Sequence, residues 1–208
     1  MSHPVPATLY RIAAVAGCGS ATVLLINAAK RAEVIPTSAF TQLVAPLAQI
    51  LALALVTGLY FAFGRRTGTF GLVAFLLNAF ALSSLVGVEF VINLVFKDVP
   101  AATVQSLRAG SLGIALTTAS VLFLVGTLTF VAAMLRGGEI PRVPLVLYGT
   151  GAIPVALRAF VPEVALDLGL VVMGVGIAWL SILLLDRSGK LATATLTGKP
   201  PVPQNVTV

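Results

Sequence analysis

The chain has 208 residues, 58% of them hydrophobic and only 10% charged, with a mean hydropathy of +1.05. Soluble domains carry about 25% charged residues, so this composition excludes a soluble globular fold. One membrane crossing takes about 20 apolar residues, so six would occupy about 120 positions and leave only short connections. Thirteen Lys and Arg against seven Asp and Glu give a net charge of +6. The basic residues fall between apolar runs, where they read as topology signals and contacts to anionic membrane lipids, about 1 kcal/mol each near the surface, and not as a nucleic-acid surface.

Taken in order, the apolar runs predict six transmembrane helices. The first extends from about Leu9 to Ala29 and is closed by Lys30-Arg31; the second runs from about Phe40 to Phe63 and is closed by Gly64-Arg65-Arg66. The third covers about Phe70 to Phe96, ending at Lys97-Asp98-Val99-Pro100. The fourth covers about Gly110 to Leu135, ending at Arg136-Gly137-Gly138. Each stop pairs a charge with a helix breaker. The fifth, about Val143 to Phe160, is short and carries Pro154. The sixth opens at Pro162, a favoured first helical position, and ends near Leu185 before Asp186-Arg187. Residues 1–187 thus form one membrane domain, while 188–208, polar and bearing Pro200, Pro201 and Pro203, read as a disordered cytoplasmic tail.

Val15-Ala16-Gly17-Cys18 imitates a lipoprotein cleavage site, but only four residues separate it from Arg11 and the apolar run continues to Ala29, which suits a first membrane helix. Placing the N-terminus inside puts eight Lys and Arg on the inner side (Arg11, Arg65, Arg66, Arg136, Arg142, Arg187, Lys190, Lys199) and five outside (Lys30, Arg31, Lys97, Arg108, Arg158). The bias predicts both termini in the cytoplasm, with Lys30-Arg31 on the disfavoured side. The composition is compatible with a bacterial inner membrane. There is no internal repeat of the kind inverted-repeat transporters show.

Most cofactor chemistry is excluded by residue counts. His3 is the only histidine and precedes the first span, so no intramembrane haem can be held by paired histidines. Cys18 is the only cysteine, which removes intrachain disulfides, iron-sulfur clusters and thiolate zinc sites. There is no phosphate loop and no His-Glu-x-x-His; no cofactor or metal is implied. Gly17, Gly19, Gly110 and Gly113 read as close-packing positions between helices. Thr117, Thr118, Ser120, Thr127 and Thr129 of the fourth span read as hydroxyls bonded back to helix carbonyls.

The informative residues are ionisable groups inside spans, each costing a few kcal/mol near the bilayer centre and therefore turned toward a partner or a cavity. On the third span Asn78, Glu89 and Asn93 are spaced to fall within about 60° of one another, one polar stripe. Near the fifth-to-sixth connection lie Arg158, Glu163 and Asp167, the two acids sharing a helix face. The tight Phe160-Val161-Pro162 link predicts an ion pair of Arg158 with Asp167 or Glu163. Glu89, with no basic residue near it on its own helix, is expected to be protonated. Glu89, Asn93, Arg158 and Asp167, with Gln42 and Gln49 of the second span and Asn27 of the first, fall in the outer half of the bilayer, where they predict an outward-facing polar cavity. Its candidate ligand contacts are Asn78, Glu89, Asn93, Gln49, Arg158 and Asp167, for an amphipathic or hydrophobic small molecule. The alternative without a ligand is structural bonding alone, as in a subunit of a larger membrane complex.

Two family resemblances attach to these residues. Arg136-Gly137-Gly138-Glu139-Ile140-Pro141-Arg142, leading into a glycine-bearing helix, together with Glu89 and the Arg-Ile-Ala opening at Arg11, resembles a bacterial six-helix membrane family of unknown function over about residues 9–185. It implies the fold and no activity. Glu89-Phe90-Val91, with Asp167 as second acid, is similar to the small membrane-bound terpene cyclases. That resemblance implies acid-catalysed isoprenoid cyclisation with Glu89 as general acid and Asp167 stabilising a cation. The chain lacks the tryptophan usual beside the first acid, and only 7% of its residues are aromatic.

Overall fold

The computed structural model describes residues 6–197, with side chains described through residue 193. Among these residues there are helices and no strands: α1 (Ala7–Arg31), α2 (Ala39–Val44), α3 (Leu47–Phe63), α4 (Gly68–Phe90), α5 (Ala101–Ala109), α6 (Ser111–Gly137), α7 (Arg142–Ala156) and α8 (Glu163–Thr197). Four helical stretches, Ala7–Arg31, Ala39–Asp98, Ser111–Gly137 and Glu163–Thr193, are long and apolar enough to cross a membrane. The stretch Ala39–Asp98 folds back on itself, because α3 and α4 pack together across the 3₁₀ turn Gly64–Thr67. Gly68 completes that reversal at φ +63°, and Gly138 completes the α6–α7 reversal at φ +69°, both in the left-handed region where a Cβ is penalised.

The six long helices form a closed ring in which chain neighbours are spatial neighbours: α1 packs on α3, α3 on α4, α4 on α6, α6 on α7, α7 on α8, and α8 returns to α1. Small residues let them approach. Gly17 faces Ser181 and Leu55, Gly58 faces Ala13 and Leu184, Gly126 lies against the α4 backbone at Leu77 and Asn78, and Gly151 lies against Met173. Of the four glycines expected to pack closely, Gly17, Gly19 and Gly113 do, Gly113 against the backbone of Arg108, while Gly110 has no tight neighbour. Large apolar side chains such as Ile12, Val15, Phe80, Ile114 and Leu168 point outward. An apolar surface of this extent belongs against lipid and not water. The fold is all-α and compatible with a membrane helix bundle, as the composition required.

Several boundaries differ from the sequence expectation. The second span is broken at Ala45-Pro46, where proline has no N–H to give Gln42, and the short α2 is held by a reciprocal Ser38–Thr41 capping box. The fifth span stops at Ala156, two residues past Pro154, and is continued only by a turn through Phe160. Pro154 instead packs on Gly169 of α8. The expected disordered tail begins too early: α8 runs through Ser188 to Thr197, since no proline occurs before Pro200 and Leu191, Ala192 and Ala194 favour helix. The remainder of that tail, 198–208, lies outside the described residues.

Candidate functional site

One end of the ring gathers the ends of α1 and α4, the starts of α3 and α8, and the turn after α7. On α1, the last helical turn carries Lys30 and Arg31, a favourable place for cations at the negative end of the helix dipole. The helix stops in a Schellman pattern, Val34 N–H to Ala29 C=O at 2.9 Å and Glu33 N–H to Lys30 C=O at 3.3 Å. Glu33 fills the left-handed position at φ 57° where glycine is usual, a strained choice that holds the two basic residues over the ring. On α4, the helix widens after Phe90 into a π-turn, Val91–Val95, that carries Asn93. Glu163 and Asp167 occupy the first turns of α8, where its dipole favours carboxylates.

These residues form two connected groups. Lys30 Nζ donates to Asn93 Oδ1 at 3.1 Å; Asn93 Nδ2 donates to Glu89 Oε2 at 2.8 Å; Arg158 donates to Glu89 Oε1 at 3.0 Å. Asn93 Nδ2 also reaches the Glu89 carbonyl at 3.0 Å. In the second group, Arg31 Nε donates to Asp167 Oδ1 at 3.0 Å and pairs at 3.8 Å with Glu163, whose side chain is 84% exposed at the rim. Between the groups lies a cavity of about 260 Å³. Lys30, Arg31, Asn93, Glu89, Arg158, Gln42 and Gln49 supply its polar walls, and Leu24, Ile92, Val155, Leu166 and Leu170 the apolar ones. Asn27 also lines it, with a buried Oδ1 that receives no hydrogen bond.

Of the expected site residues, the structure brings Glu89, Asn93, Gln49 and Arg158 together around this cavity, with Gln42 and Asn27. Asp167 stands behind the wall, bonded to Arg31. Asn78 is elsewhere: fully buried in the middle of the ring, it donates to Tyr148 Oη at 3.4 Å and accepts from Thr127 Oγ1 at 3.3 Å. Asn78 shares a face with Glu89, but about 16 Å of helix rise separates them. That bond also makes Thr127 an exception among the threonines, whereas Thr117, Thr118 and Thr129 bond back to helix carbonyls as expected.

The expected pairing of Arg158 with Asp167 or Glu163 is corrected. Arg158 sits in the turn beyond α7 and reaches across the ring to α4, while ring closure brings Arg31 of α1 to both acids of α8. Glu89 is likewise no lone acid, since both its carboxyl oxygens accept hydrogen bonds. Sequence reasoning treated Lys30 and Arg31 only as topology markers. Their place on the disfavoured side of the charge count was the signal that they serve another purpose.

The opposite end of the ring is pinned by ion pairs and an aromatic contact. Glu139 pairs with Arg66 at 3.1 Å and Arg187 at 3.0 Å, Arg187 lies 4.4 Å from the Phe63 ring centroid, and Tyr10 donates to the Phe61 carbonyl. A shallow trough of about 710 Å³ along the outer face of α6 below α5 is lined mainly by apolar groups and carries Arg108 as its one charged residue.

Comparison with known proteins finds no matching family model, curated protein or solved structure. These comparisons bear on neither family resemblance.

The corrected pairing sets a double-mutant test. Arg158→Gln and Glu89→Gln should be strongly non-additive in thermal melts of the solubilised protein, with a coupling of about 1–3 kcal/mol, whereas Arg158→Gln and Asp167→Asn should add. Coupling to Asp167 and none to Glu89 would restore the pairing that adjacency in sequence suggested.

Proposed function

We propose that this is an integral membrane protein of six spans that binds an amphipathic, lipid-like molecule in the cavity at the charged end of the ring. The observation that carries the reading is the cavity's composition. Charged and amide side chains from α1, the short α2, α3, α4 with its π-turn, and the turn after α7 converge on one side, and leucine, isoleucine and valine line the other. A site with both characters suits a ligand with both characters. An unpaired buried acceptor, Asn27 Oδ1, supports a polar group arriving from outside the protein, since buried polar atoms otherwise find partners.

The basic end of the ring, holding Glu139 between Arg66 and Arg187, carries seven of the twelve Lys and Arg among the described residues. Three of the five at the other end, Lys30, Arg31 and Arg158, are engaged around the cavity. The count supports a cytoplasmic basic end, both termini inside, and a cavity toward the outer half of the bilayer, as in a bacterial inner membrane. The cyclase reading fits the geometry less well, because Glu89 accepts at both oxygens and Asp167 does not line the cavity. A purely structural subunit would have no use for such a cavity.

Reporters fused after Arg66 and Arg136 should score cytoplasmic, and those after Asp98 and Val161 external; the opposite pattern would move the cavity to the inner half. The ligand is tested by native mass spectrometry of protein extracted in mild detergent. Wild type should carry a bound amphiphile that Val155→Trp, filling the cavity wall, loses while keeping its melting temperature within a few degrees. A bare wild type, or an amphiphile retained in a folded Val155→Trp, would contradict the reading.

A further inference from the structure

The charges that line the cavity do not cancel, since Lys30, Arg31 and Arg158 face it with Glu89 as the one carboxylate among the lining residues. Arg158 is matched by Glu89 and Arg31 by Asp167, each at 3.0 Å. Lys30, which faces the same cavity, has for its hydrogen-bond partner the neutral amide oxygen of Asn93. An ammonium has three donors, so two of its N–H groups remain for a ligand, and each guanidinium also keeps donors beyond those spent on its carboxylate. The cavity lining itself thus carries more positive than negative charge, because Asp167 stands behind Arg31 and Glu163 lies at the exposed rim, and an anion bound in the cavity would offset that excess.

Asn27 supplies the second half of the recognition. It precedes Lys30 by three residues on α1 and therefore shares its face. Its buried Oδ1 needs a donor, which an anionic oxygen cannot provide but a hydroxyl can. The cavity accordingly calls for an anion and an O–H within about one helical turn of each other. Three basic groups around one space suit the several oxygens of a phosphate better than the two of a carboxylate. At roughly 260 Å³ the cavity falls just below the range of drug-sized ligand sites, about 300–1,000 Å³, a size that suits a phosphorylated polyol head group better than a whole lipid.

Resting on the reading that this cavity is a ligand site, we infer that it takes a phosphate group bearing a free hydroxyl nearby, with Lys30 as the contact for the phosphate and Asn27 as the acceptor for the hydroxyl. The head group belongs either to a membrane phospholipid, whose chains then lie outside the cavity, or to a soluble polyol phosphate.

The test is a thermal-shift titration of the full chain in neutral detergent with three probes: phosphatidylglycerol, phosphatidylcholine and glycerol 3-phosphate. Wild type should prefer phosphatidylglycerol to phosphatidylcholine by about fivefold or more in apparent Kd, the worth of one lysine near a lipid phosphate. Lys30→Gln should bring that ratio below about twofold, Lys30→Arg should keep it, and Asn27→Leu should weaken phosphatidylglycerol alone. Arg65→Gln, at the basic end, should leave the ratio unchanged. Saturable protection by glycerol 3-phosphate that is lost in Lys30→Gln would assign the soluble source, and its absence beside phosphatidylglycerol binding would assign the lipid. Equal response to both lipids in wild type, with no protection by glycerol 3-phosphate, overturns the head-group inference while leaving amphiphile binding intact. So does a preference abolished by Arg65→Gln and not by Lys30→Gln, or by Asn27→Leu if Lys30→Gln does not fold. No response to any probe overturns the underlying reading as well.

Discussion

Arg31 meeting Asp167 at 3.0 Å joins the last turn of the first long helix to the first turns of the last one, and the ring of six depends on that junction. Both side chains are largely withdrawn from solvent, at 29% and 19% exposure. Either alone would be a costly, uncompensated charge in an apolar surrounding, so the pair constrains α1 and α8 to one relative depth. Small-residue packing continues the same contact down the bundle, with Gly17 of α1 seated against Ser181 of α8. Specificity of register comes from the charges and close approach from the glycines, and neither could replace the other.

The two ends of the bundle use ion pairs differently. At one, a single carboxylate, Glu139, is held by two guanidiniums, and the chain reverses tightly around it through Gly138 and Gly68. At the other, six ionic residues from three helices and the turn after α7 meet, yet a space remains among them, one ammonium has a neutral amide oxygen for its hydrogen-bond partner and one amide oxygen lacks a donor. The π-turn Val91–Val95 borders that same space through Ile92 and Asn93, and a strained Glu33 closes α1 two residues beyond Arg31. A π-turn within the wall of a cavity is a frequent mark of a functional site.

Much of the fold was legible because apolar length and charged stops are one-dimensional signals. The positions of all six long helices follow from them, and so does the gathering of Glu89, Asn93, Arg158, Gln42, Gln49 and Asn27 at one end. Pairing was not legible, because it depends on which helices touch. Adjacency in sequence argued for Arg158 with Asp167, and ring closure, visible only in three dimensions, gave Asp167 to Arg31 and Glu89 to Arg158. Helical periodicity placed Asn78 with Glu89 on one face but could not separate a cavity lining from the bundle interior one and a half helix widths away. The break at Pro46 and the early stop of α7 were written in the prolines, while the continuation of α8 past Ser188 was hidden by its polar residues.

The most direct measurement is a charge exchange at the junction between α1 and α8. Arg31→Asp and Asp167→Arg, made singly and together, should each lower the melting temperature and the amount of amphiphile retained on purification, and the double exchange should recover most of both. A double variant as damaged as the two single losses combined would show that the pair neither closes the ring nor shapes the cavity.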